Sequence, residues 1–143
     1  EAIQREALEE IAIDINHYPG EFIPIRGYRI AAQEFPEKNI FDHEVQDVSF
    51  FLSDLRIEQL VLQQEEIFAI LEFHIQDILD LFSDQQKQIR NLSGLTFDQN
   101  SRMVSYIKPW SKNDFVATAD LYFGKAAFIA HRILLGERNF PGI

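Results

Sequence analysis

Apolar and polar residues along this chain alternate with periods that change from segment to segment. In residues 2–15, Ile3, Ala7, Ile11 and Ile15 recur at four-residue steps with acids between them, which predicts an amphipathic helix. Pro19 and Gly20 stop it. Residues 21–36 fit two readings. Phe22 to Ile30 reads as an edge strand, because Pro24 cannot donate to a central ladder, while "YRIAAQEF" reads equally as a short helix. Asp42 then has the character of an N-cap, with Glu44 and Asp47 near a helix N-terminus, so a helix is expected over 43–52. Ser53-Asp54 offers a second cap where the register shifts.

The longest regular pattern runs from 55 to 91. Ile57, Val61, Gln64, Phe68, Leu71, Ile75, Ile78, Phe82, Gln85, Ile89 and Leu92 alternate three- and four-residue steps, a heptad-like seam widened by Leu60, Ile67 and Leu81. Lys87 and Arg90 suit the end of a helix dipole. Such a helix would be roughly 55 Å long, against about 30–40 Å for a compact chain of this size. It therefore kinks or projects toward a partner. Ser93-Gly94 ends it, and residues 95–107 predict a hairpin with a polar tip at Asp98–Arg102. A last helix is expected over 112–135, started by the capping-box pattern Ser111–Asp114 and stopped by Gly136. The resulting fold class is mainly α: a bundle-like single domain over 1–143, with a long central helix and a small antiparallel hairpin.

Composition narrows the function classes. The 143 residues are 46% hydrophobic with 13 Phe, enough for a substantial core. Without cysteine, disulfides, thiolate nucleophiles and Cys-based metal sites are excluded, and a cytoplasmic location is expected. No apolar run reaches the ~18–20 residues that span a bilayer, so no membrane association is expected. The first residues are acidic and helical in character rather than those of a signal peptide. Net charge is −10 and unevenly spread: residues 1–84 carry −14 and residues 85–143 carry +4. An acidic surface repels phosphate backbones, which argues against nucleic acid as a partner. It suits a basic protein partner, including the C-terminal part of a second copy.

Candidate chemistry is sparse. On the expected last helix, Asp114, Thr118, Lys125 and Arg132 fall along one line, the natural solvent stripe. Asp120, Gly124, Ala127 and His131 form a second strip, polar at both ends and small between. Asp120 and His131 stand about 16 Å apart along the axis, too far for joint acid–base work on one substrate atom. They read instead as two ends of a strip that admits a neighbouring helix, or as anchors of a binding groove. His74 and Asp77 can share a face at i, i+3 spacing. A bundle metal site needs matching ligands from other helices, so neither a metal nor a cofactor is expected. His17 and His43 read as loop or capping residues. No phosphate-binding loop, nucleophile elbow, dinucleotide fingerprint or His-Glu-x-x-His is present. The function expected is a non-enzymatic interaction or regulatory module acting through an acidic helical surface on a protein partner. Its rivals are an inhibitor of a basic target and a small-molecule-binding domain with a cleft near Asp120 and His131.

Overall fold

The computed structural model describes residues 2–35, 39–116 and 121–143. Its elements are α1 (Ala2–Ile11), β1 (Glu21–Pro24), β2 (Arg29–Phe35), β3 (Ile40–Gln46), β4 (Ser49–Leu52), β5 (Ala69–Glu72), α2 (Ile75–Phe82), β6 (Ile89–Phe97), β7 (Met103–Trp110) and α3 (Tyr122–Leu134). Short 3-10 turns occupy Ile57–Gln59 and Lys112–Asp114. The strands form three sheets, ordered β1-β4, β2-β3 and β5-β6-β7. This is a mixed α/β chain, and the expectation of a mainly helical bundle is wrong.

The long helix over 55–91 does not form. The heptad seam counted Phe68, Leu71 and Ile75, but Ile67 to Leu71 are five apolar residues in a row. No single helix face holds five consecutive positions, and such a run bounded by polar residues is strand-like. It becomes β5, and only Ile75–Phe82 within the seam is α-helical. The helix expected at 43–52 is also absent. Val45, Val48, Phe50 and Phe51 belong to the β-branched and aromatic types that favour strands, and the segment holds the end of β3 and all of β4. Asp42 pairs with Gln33 inside the β2–β3 ladder rather than capping a helix. "YRIAAQEF", left open between strand and helix, contributes β2.

The chain divides into two compact units: Glu1–Phe22, Phe51–Phe73 and Arg90–Pro109 in the first, Ile23–Phe50, His74–Ile89 and Trp110–Ile143 in the second. In the first, Ile13, Leu60 and Leu62 are buried and are packed by Ile11, Ile15, Tyr18, Leu55, Ile57, Ile67, Ile70 and Phe97. A helix leaves its last carbonyls without intrahelical partners. At the end of α1 two of them accept from an extended segment, Glu10 from Gln63 N–H at 2.9 Å and Ile11 from Val61 N–H at 3.4 Å. Leu60 and Leu62 are buried while Val61 and Gln63 are exposed, the period of an extended chain. β5 and β6 pair antiparallel with Leu71 opposite Gly94. A Cβ at Gly94 would run into the Ile70 carbonyl and the Leu71 side chain, so glycine allows this close approach. The expected hairpin is present as β6–β7. Asp98 Oδ1 accepts from Asn100 N–H at 2.8 Å and Arg102 N–H at 3.0 Å, which fixes the tip as an Asx-type turn.

In the second unit α2 packs on α3. Leu81 is fully buried, and Ile78, Ala127, Ile129, Ile133 and Phe140 are buried too. Phe115 gathers an aromatic cluster, with ring centroids 5.4 Å from Phe82, 6.1 Å from Trp110 and 4.9 Å from Phe123. The start of the expected last helix is shifted. Ser111 and Asp114 do form the capping pattern, with Ser111 N–H and Oγ–H donating to Asp114 Oδ2 at 2.9 and 2.8 Å. They frame only the 3-10 turn, and α3 is described from Tyr122. Gly136, at φ +96°, sits just beyond the helix as expected.

Lys112 ties the turn to α2. Its Nζ donates to the Phe82 carbonyl at 3.3 Å and to Asp84 Oδ1 at 2.8 Å. That hydrogen bond, then the charges of Lys112 and Lys87, hold the Asp84 carboxyl below the ordinary aspartate range against a small opposing effect of burial. A depressed folded pKa stabilises the protein above the unfolded aspartate value of roughly 3.9 and loses that effect as pH falls through the folded value. Urea unfolding of Lys112→Met should therefore show a stability deficit at neutral pH that shrinks near pH 2. A deficit of equal size at both pH values would assign the whole effect to the Phe82 carbonyl.

Candidate functional site

The second unit contains a groove of about 600 Å³. One wall is α3, presenting Leu121, Gly124, Lys125, Phe128, Ile129 and Arg132. These spacings of three, four and seven place all six on one side of a helix. Leu79, Phe82 and Ser83 of α2 line the groove as well, as do the C-terminal residues Phe140 to Ile143. Its depth follows from Gly124. A Cβ there would lie 3.0 Å from Phe82 Cβ and 3.1 Å from Phe82 Cγ, so the absence of a side chain lets the two helices meet. Phe82 then reaches Phe115 and the aromatic cluster.

The C-terminal segment folds back by polar contacts. Arg132 Nε donates to Glu137 Oε1 at 2.9 Å, and a second contact joins Arg132 Nη2 to Glu137 Oε2. This hydrogen bonding holds the Arg132 pKa above the usual arginine value. The Arg132 guanidinium lies 5.4 Å from the Phe140 ring centroid and 5.7 Å from that of Phe128. Arg138 Nη1 donates to the Ile133 carbonyl at 2.8 Å, satisfying a carbonyl at the end of α3. Phe140 is thereby kept 2% exposed.

The groove therefore has aliphatic and aromatic walls and two cations. Phe128 and Leu121 remain 53% and 62% exposed, apolar surface that an occupant would cover. The Lys125 side chain is exposed and has no hydrogen-bond or ion-pair partner among the described residues. Leu121 opens α3 in the left-handed region, at φ 55°, a conformation that costs a non-glycine residue ~1–2 kcal/mol.

Of the residues singled out in the sequence, Gly124 lines the groove. Ala127 is buried and His131 is half-buried, and neither lines it. Asp120 lies outside the described residues. His74 caps α2, its Nδ1 accepting from Gln76 N–H at 3.3 Å. Asp77 is in the first turn of α2, and its carbonyl accepts from Gln86 Nε2 at 2.8 Å. Among the described residues no group of three or more His, Asp or Glu could hold a metal ion. His17 sits in a turn with Nδ1 2.7 Å from Asp14 Oδ2, and His43 lies exposed on β3. Among the described residues no helix is long and apolar enough to cross a membrane.

The groove residues missed in the sequence carried a signal. Leu121 and Phe128 fall on the helical line of Lys125 and Arg132, the one assigned to solvent. Two large apolar side chains on that line mark it as a surface with something to cover. Family models, curated proteins and solved structures were compared with the chain, and none matches.

Filling the Gly124 contact should separate the helices. Gly124→Leu is expected to lower stability by about 1–3 kcal/mol, the usual cost of overpacking, as measured by urea denaturation. A stability equal to wild type would show that α2 and α3 do not depend on this contact.

Proposed function

We propose that the chain is a non-enzymatic binding module whose site is the groove of the second unit, holding an apolar small molecule. The observation that carries this reading is a concave, three-walled surface of about 600 Å³, within the ~300–1,000 Å³ of small-molecule sites. Its ionisable lining side chains, those of Lys125 and Arg132, are both cations, which suit anchoring rather than general acid–base work near neutral pH. A cytoplasmic setting accompanies this proposal, supported by the absence of cysteine.

The test uses Nile red, a neutral apolar dye whose fluorescence rises on burial. Wild type should bind it, and Phe128→Asp should weaken binding at least tenfold with an unchanged circular dichroism spectrum. Phe128 is half exposed, so the substitution leaves the core intact. Equal dye binding by the two proteins would sink the reading.

A second reading is an interaction or regulatory module that meets a basic protein surface, a second copy included. The exposure of Glu58, Glu65, Glu66 and Glu72 in the first unit supports it, although these acids lie on a turn, a loop and a strand rather than one helix face. For the second-copy version, light scattering should detect a dimer at low salt that dissociates as salt rises. A monomer at every salt concentration rules that version out.

A further inference from the structure

We draw no further inference here: the strongest candidate, the exposed apolar face that Ile30, Phe41 and Val45 form on the β2–β3 pair, carries none, because nothing in the structure shows what covers it.

Discussion

The second unit depends on one close approach, the missing side chain of Gly124 against the Phe82 ring. α2 and α3 are only eight and thirteen residues long, too short to hold helical structure well alone in water. Their stability comes from burying apolar faces on each other, and a small residue at the crossing brings the axes together. Phe82 thereby reaches Phe115, which in turn reaches Trp110 and Phe123. The same approach lies in the groove, whose lining includes both Gly124 and Phe82. Fold and candidate site thus share a cause.

The polar contacts at the C-terminal end of α3 complete this arrangement. Arg132 is held by Glu137 and faces two aromatic rings, and Arg138 satisfies the Ile133 carbonyl. Together they fold the last residues back so that Phe140 is buried while its neighbours form a wall. Exposed ion pairs contribute little stability individually. Here their effect is geometric, since they position an apolar segment whose burial supplies the energy. The side of the groove that this segment forms adds Phe140, Pro141, Gly142 and Ile143, none with a charged side chain.

Periodicity failed where it was counted in steps of three and four without regard to what lay between. Apolar residues at heptad positions satisfy a helix, but Ile67 to Leu71 satisfy a strand equally well. Ala69 and Ile70 would have lain off the seam of that helix. The pairing of Ala69–Glu72 with β6 supplies hydrogen bonds and burial that helical propensity, worth less than about 1 kcal/mol per residue, cannot match. Where the signal was local and stereochemical, it held. The polar hairpin tip at Asp98–Arg102 and the stop at Gly136 depend on residues within a few positions of one another, while the Ser111–Asp114 pattern formed but framed a 3-10 turn instead of starting the last helix.

The sequence by itself determined part of the local punctuation of the chain: the β6–β7 hairpin and its tip, the stop of α3, and Gly124 as a position of close packing, while α1 ends at Ile11, before the stop expected at Pro19. It also set the charge asymmetry and excluded thiol chemistry, since these follow from composition alone. Tertiary structure decided which apolar runs became strands, because strand formation requires a partner that may lie twenty or more residues away. It decided the site as well. Lys125 and Arg132 on a helical wheel are solvent residues. They become the cations of a groove only when α2 and a returning C-terminal segment rise on either side, a juxtaposition that no spacing along the chain encodes.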